Sequence, residues 1–546
     1  MFAHILIVMV VAIAITAFAE RRNVLPALLV AIIGLIASFI PGLPRLELEP
    51  EVILTLVLPP LLFSAARDFS FAEFSRRMGT IVNLGVFLVF ATALVIGSTA
   101  TAVLPVLLPL TALILGVVIA PPDAVTAITI GRKAGLPRRL MTVLKGESLI
   151  NDAAALTMFA VLVATASGTH AFIDSIPLYF LYAAAVGVLV GLVIGNLAQW
   201  ARHRLASPAL STALSVIIPF AAYLAAEELH ASGVLAVVMA GFTMGHHGVQ
   251  AGYEERMQEQ SFWRTVDTLL ETFIFAYIGL QLRFVITDAG EAGFELTDLA
   301  MATAAIFIAS VAIRFAWIFA TALIGRWRYR RISERWPAFE QSPRFRNSRH
   351  KAQPPQPPLS WRENTVLAWT GMRGVVTLAA AAGTPFVTAS GEPFPGREAI
   401  LALAFLVTIA TLLIQGLSLP WLIAKLKLED SDHPLFVKRE HDNAEKLIQA
   451  ASNEALAAYS SANPDPASQR LAAVMAKRIG QEEKSEQIQG FDAERAMALG
   501  KILLEARRQR LVTARDNGEL DDTIVREMLE QMDIEQAFMD SLSRDA

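Results

Sequence analysis

Asp152 and the side chains spaced around it carry the most direct chemistry in this sequence. Within KGESLINDAAALTMFAVLVA, Ser148, Asn151 and Asp152 fall at offsets of three and four residues, so in a helix they share one face. That face presents a hydroxyl, an amide carbonyl and a carboxylate, hard oxygen ligands suited to Na⁺ or K⁺. A carboxylate withdrawn from water can also hold a proton when no cation is present. One group that takes either a proton or a monovalent cation is the minimum machinery for exchanging the two. The bland alternative is a buried structural pair for Asp152. It is the weaker reading, because the nearby helix offers no adjacent cation and an intramembrane carboxylate is costly.

Two further segments place charge beside helix breakers. In LILGVVIAPPDAVTAITI, Pro121 and Pro122 stand directly before Asp123. Each proline removes a backbone donor and clashes with the preceding turn, so the helix breaks there. In LAWTGMRGVVTLAAAAGTPF, Gly371 and Gly374 flank Arg373, and glycines weaken a helix and admit a second backbone. Broken helices in a membrane are tolerated only where protein or a water-filled cavity satisfies their free N–H and carbonyl groups. If the two breaks cross, opposed helix ends meet, and Asp123 offsets the positive ends while Arg373 offsets the negative ones. Glu147, Arg314, Glu227, Glu228 and Glu271 are weaker signals, read as structural pairs because buried charges are normally paired. His246 and His247 lack the further ligands a metal centre needs.

The elements that position these groups are membrane helices. The chain has 546 residues, 54% hydrophobic and 18% charged, with a mean hydropathy of +0.49. A soluble protein has about 45–50% apolar and about 25% charged residues. Cysteine is absent, which removes disulfides, thiolate metal sites and thiol nucleophiles. A span needs about 20 mostly apolar residues. Thirteen stretches qualify: 2–19, 24–41, 50–66, 79–102, 106–130, 147–168, 173–200, 208–228, 232–247, 265–286, 298–325, 364–388 and 398–425. The first is read as a retained helix, since no Lys or Arg precedes its apolar run and Arg21-Arg22 follow it, the reverse of a signal peptide.

Lys and Arg in short loops set orientation. Arg21-Arg22, Arg76-Arg77, the run Arg132 to Lys145, Arg202 to Arg204 and the loop after Arg326 are basic. They alternate with the poorly basic loops Arg45 to Glu51, Ser167 to Asp174 and Asp288 to Asp298. Basic loops in the cytosol put the N-terminus outside and the tail inside. Spans one to six and eight to thirteen then form two units of opposite orientation, the arrangement of secondary transporters whose site lies where the repeats meet. The expected fold is an all-α membrane protein of about thirteen helices in two inverted six-helix repeats with crossed broken helices. Residues 1–428 form the transmembrane domain and 429–546 a cytosolic, mainly helical one. The tail holds 15 Lys+Arg against 24 Asp+Glu, leaving the first 428 residues with 31 against 26.

Other classes fit less well. A channel requires a continuous polar pathway and usually a filter loop, and no such loop is seen. A hydrolase with Ser148 as nucleophile lacks a base, and G-E-S-L-I is not a nucleophile elbow. No G-x-x-x-x-G-K-[ST] loop for an ATP-driven pump occurs. Nucleic-acid binding is excluded by the lack of any dense basic segment beyond one short loop.

Several segments together resemble the bacterial branch of the sodium/proton exchanger family, the cation:proton antiporter-1 family. They are VLPPLLFSAA at 57–66, PPDAVTA at 121–127, GESLINDAAAL at 146–156, AAYLAAEELHASGVLAVVMAGF at 221–242, FWRTVDTLLETFIFAYIGLQL at 262–282 and GMRGVVTLAAA at 371–381. The resemblance implies a homodimer in the bacterial inner membrane, with a scaffold and a mobile core in each protomer. It implies alternating-access exchange of Na⁺ for H⁺ in pH homeostasis, with no cofactor; K⁺ or Li⁺ as the transported ion is the alternative. Asp152 then matches the ion- and proton-binding carboxylate, Ser148 a ligand hydroxyl, and Asn151 the asparagine that accompanies electroneutral exchange. Asp123 and Arg373 match the charges of the crossed helices, and Glu147 with Arg314 the bridge between core helices. Two departures stand out. Pro122 replaces a common Thr, keeping only the backbone carbonyl, and Ser64 stands where many relatives carry a carboxylate. The resemblance therefore implies one negative group fewer at the site. Ser64 and Glu227 are secondary candidates.

In the tail, Asp492 to Met539 has helical periodicity broken at Asp516-Asn517-Gly518, and resembles a helical hairpin behind the membrane domain of several bacterial relatives. The Pro- and Arg-rich segment 337–360 reads as a cytosolic loop able to touch anionic lipid.

Overall fold

A computed structural model describes the chain apart from residues 1, 23–25, 42–51, 70, 124–126, 129, 132–134, 170–172, 174, 206, 249–250, 341–356, 429–432, 480–492, 518 and 545–546. The loop from Arg45 to Glu51, the centre of the Pro- and Arg-rich segment, the start of the tail domain and Gly518 thus lie outside the described residues.

Among the described residues the regular secondary structure is helical, apart from one isolated β-bridge between Val387 and Pro393. In chain order the helices are α1 (Phe2–Arg21), α2 (Pro26–Ser38), α3 (Ile53–Arg67), α4 (Arg77–Val103), α5 (Pro109–Ile119), α6 (Arg138–Ser167), α7 (Ile176–Arg202), α8 (Pro208–Glu228) and α9 (Gly233–Gly248). They continue as α10 (Tyr253–Glu291), α11 (Leu296–Glu340), α12 (Trp361–Trp369), α13 (Val375–Ala382) and α14 (Arg397–Leu426). The tail adds α15 (His433–Ala462), α16 (Pro466–Ile479), α17 (Ala493–Asp516) and α18 (Asp522–Arg544). Eight of these are long and apolar enough to cross a membrane, and four shorter apolar helices stand beside them. A helix lies within each apolar stretch of the sequence.

Local signals explain the boundaries. Pro109, Pro177 and Pro208 sit in the first turns of α5, α7 and α8, where the missing N–H costs nothing. Gly168 ends α6 in the left-handed region at φ 72°, as a helix C-cap glycine does. A capping box joins Ser360 and Glu363 at the start of α12. Three helices outrun their apolar stretches: α6 begins at Arg138, so Arg138 to Lys145 of the basic run read as a loop is helical, α10 begins at Tyr253, and α11 continues to Glu340. The segment after Arg326, read from its charge as a loop, is therefore helical as far as Glu340, because charged residues with good helix propensity extend a helix beyond its apolar core.

Small residues let the helices approach. Gly187, Gly191 and Gly195 form a stripe on α7 against Ser232, which precedes α9, and Ala236 and Thr243 of α9, where a Cβ on Gly191 would stand 2.3 Å from the Ala236 carbonyl oxygen. Without a hydrophobic force between helices in lipid, such close backbone contact supplies much of the packing.

The tail has small apolar clusters of its own, one around Leu504, Leu511, Ile524 and Leu529 and another around Leu456, Leu471 and Leu499. It docks on the N-terminal end of α10. Asp533 of α18 is bridged by Arg256 of α10 and by Arg508 of α17 at 2.8 Å, and Gln260 donates to Glu530 at 3.2 Å.

Candidate functional site

Helix α5 stops at Ile119 and the chain leaves helical geometry through Pro121, Pro122 and Asp123. Helix α12 stops at Trp369, and residues 370–374 are non-helical before α13 begins. The two breaks meet. The Asp123 N–H donates to the Met372 carbonyl at 2.6 Å, so one unwound strand satisfies the other. Asn151 Nδ2 of α6 donates to the Pro122 carbonyl at 3.0 Å, and the Arg373 N–H donates to Thr411 Oγ1 at 3.0 Å.

The charges sort themselves between the helix ends. The Asp123 carboxylate lies against Gly374, the residue that opens α13, 2.1 Å from where a Cβ would be. This is the positive end of α13. Arg373 is fully buried, and its Nη1 donates to the Gly371 carbonyl at 2.6 Å. Arg314 donates through Nε and Nη2 to the Leu367 carbonyl in the last turn of α12, at 3.1 and 3.0 Å. The same guanidinium pairs with Glu147, and both side chains are buried.

Beside the crossing lies a cavity of about 260 Å³. Asp152 and Ser148 of α6, Asp123, Ser64 of α3, and Asp267 and Glu271 of α10 line it. Asp68 and Lys145 also line it, toward the end of the bundle where the tail docks; Asp68 additionally lines a small cavity shared with Asp533. A separate cavity of about 450 Å³ begins at Leu156 and Thr157 and follows α6 to Ser167. Asp152 and Leu156 are one turn apart, about 6 Å along the helix.

The sequence candidates do not all share one wall. Ser148 and Asp152, a full turn apart, face the cavity together. Asn151 is turned about 100° from Asp152, is absent from the cavity lining and holds the broken α5 instead. Pro121 lines the cavity, whereas Pro122 presents its carbonyl to Asn151. Glu227 lies in the second cavity, against Gly233 at the start of α9. Ser64 donates its hydroxyl to Asp267 Oδ2 at 2.6 Å, so the negative group expected to be missing at Ser64 is supplied from the facing helix. Asp267 was not recognised in the sequence, and Glu271, read there as a paired charge, lines the cavity without a cationic partner among the described residues. The signal that would have found both is their spacing of four residues on one helical face.

The family model described as "Sodium/hydrogen exchanger, transmembrane" matches residues 6–425. The chain belongs to the sodium/hydrogen exchanger family. An exchanger-family member, it is a multi-pass membrane transporter, not an enzyme. It is 32% identical over 535 residues to an uncharacterized Na(+)/H(+) exchanger of Mycobacterium tuberculosis, covering 95% of this chain and 93% of that one. It is 29% identical over 411 residues to the Na(+)/H(+) antiporter ApNhaP of Aphanothece halophytica, covering 74% of this chain and 70% of that one. Its fold is similar to that of the sodium proton antiporter MjNhaP1 from Methanocaldococcus jannaschii, with a TM-score of 0.58 and 17% identity over 78% of this chain and 98% of the other.

Proposed function

We propose that this chain exchanges a monovalent cation, Na⁺ first among the candidates, for H⁺ by alternating access, with Asp152 as the group that carries either ion. The observation that carries this reading is the position of Asp152 between two cavities. It lines the one that leads toward the docked tail, and the other starts one helical turn beyond it. A small shift of α6 with its crossed helices moves Asp152 from one cavity to the other, which is the rocking motion of inverted-repeat transporters. Ser148 adds a neutral oxygen ligand. Asn151 serves by fixing the Pro122 carbonyl and the break beside the ion. Asp123, Arg373 and Arg314 with Glu147 neutralise the helix ends that the breaks leave in the membrane.

The same reading takes the thirteen helical stretches as spans in two inverted units, with the N-terminus outside and the tail of residues 429–546 in the cytosol. The Arg-rich end of α11 supports it, since cytosolic flanks are basic. A homodimer in the bacterial inner membrane is the assembly proposed from the family resemblance. One proton per cation, and hence electroneutral exchange, is the proposed stoichiometry, because a single carboxylate cycles between two monovalent partners.

The test is cation-driven pH change in proteoliposomes of the purified full-length chain, comparing Na⁺, K⁺ and Li⁺. Internal alkalinisation or acidification driven by Na⁺ supports the proposal. Response to K⁺ alone assigns the K⁺/H⁺ alternative, and response to none of the three refutes exchange.

A further inference from the structure

The cavity holds more acid than one exchanging carboxylate uses. Asp267 and Glu271 stand one turn apart on α10 and both line it. Ser64 fixes one oxygen of Asp267 at 2.6 Å. The other, Oδ1, is buried and has no hydrogen-bond partner among the described residues. The acidic Asp123 and Asp267 both act on Glu271. A group of acids alone is no site, but a second observation comes from a different helix. Thr377 of α13 is 1% exposed, lines the same cavity, and leaves its Oγ1 without a hydrogen-bond partner. Buried hydroxyl and carboxylate oxygens are normally satisfied; of the charged groups acting on Asp267, Asp68 is acidic and Arg67 offsets part of its charge, which leaves the free oxygen itself unpartnered.

The kind of ligand follows from the donors. They are oxygens, two of them on carboxylates, which suits a hard cation. Among the described residues no set of three acidic or imidazole side chains is gathered closely enough to hold a metal ion. A divalent ion bound by many carboxylates is therefore not the fit, whereas a partly hydrated monovalent cation is.

We propose that Asp267, Glu271 and Thr377 form a second monovalent-cation site in the cavity, between Asp68 and Asp152, that loads the ion before it reaches Asp152. The inference rests on the reading of Asp152 as the exchanging carboxylate. Ser64 is a positioning residue, holding Asp267 so that its free oxygen faces the ion. The basic residue in the same wall, Lys145, stands on α6 three residues before Ser148 and is exposed.

The experiment measures saturable binding of radiolabelled sodium to the purified full-length protein, with exchange followed in parallel in proteoliposomes. Asp152→Asn is expected to stop exchange yet keep sodium binding, and adding Asp267→Asn with Glu271→Gln is expected to remove that binding. Loss of all binding on Asp152→Asn alone overturns the second site, as does binding that survives in the triple variant. An Asp152→Asn protein that still exchanges refutes the Asp152 reading instead, so the two failures are distinct. Should the acidic variants misfold, Thr377→Val, neutral and nearly isosteric, is the second arm. Loss of one oxygen ligand is expected to raise the KM for Na⁺ about fivefold with the maximal rate changed by less than about twofold. An unchanged KM contradicts the site.

Discussion

Asp123 and Gly374 are pressed together where the two broken helices cross: a Cβ on Gly374 would stand 2.1 Å from Asp123 Oδ2. Only glycine lets the carboxylate reach the first turn of α13. Gly374→Ala is therefore expected to push Asp123 away from that helix end, at the cost of about 1–3 kcal/mol typical of overpacking. A lower melting temperature in detergent with loss of exchange checks this. Wild-type stability and exchange in the variant contradict it.

Glu147 and Arg314 are a buried pair, and the guanidinium also serves the Leu367 carbonyl. Breaking such a pair from one side costs about 3–5 kcal/mol, since the remaining charge is uncompensated. Glu147→Gln is expected to lower stability by that amount. Glu147→Gln with Arg314→Met is expected to recover part, not all, because the Leu367 carbonyl loses its donor. A single variant as stable as the parent speaks against a structural role for the pair.

Much of this was legible in the sequence because it is local. Apolar stretches announced the helices, Pro121-Pro122-Asp123 announced one break, and Gly371 to Gly374 announced the other. The opposed helix ends followed from those two breaks alone. The Ser64–Asp267 contact was not legible, because it joins residues 203 positions apart and neither is unusual in its own helix. Glu271 was misread as paired because pairing is the general rule for buried charge, and only the cavity shows what it faces. The position of Asn151 also needed the structure: spacing shows that it shares a broad face with Ser148 and Asp152, but not that the Pro122 carbonyl claims it.

Docking of the tail rests on Asp533, which takes Arg256 from α10 and Arg508 from α17. A double-mutant cycle on Arg256→Ala and Asp533→Ala is expected to give a coupling of about 0.5–3 kcal/mol in thermal unfolding. Protease cleavage between α14 and α15 is expected to quicken in Asp533→Ala. Additive effects and unchanged cleavage contradict the docked arrangement.

Electroneutral exchange predicts indifference to voltage. With the pH gradient held fixed in proteoliposomes, an imposed membrane potential is expected to leave both the rate and the equilibrium point of cation flux unchanged. A dependence equivalent to a net charge per cycle would mean that a second carboxylate of the cavity titrates during transport.

The central claim is that Asp152 carries cation and proton in turn, and Asp152→Asn tests it most directly. An amide of the same shape neither releases a proton nor neutralises a cation. Cation-driven pH change in proteoliposomes is expected to vanish in this variant while its melting temperature and detergent elution profile stay those of the parent. A well-folded Asp152→Asn protein that exchanges at the parental rate would falsify the assignment.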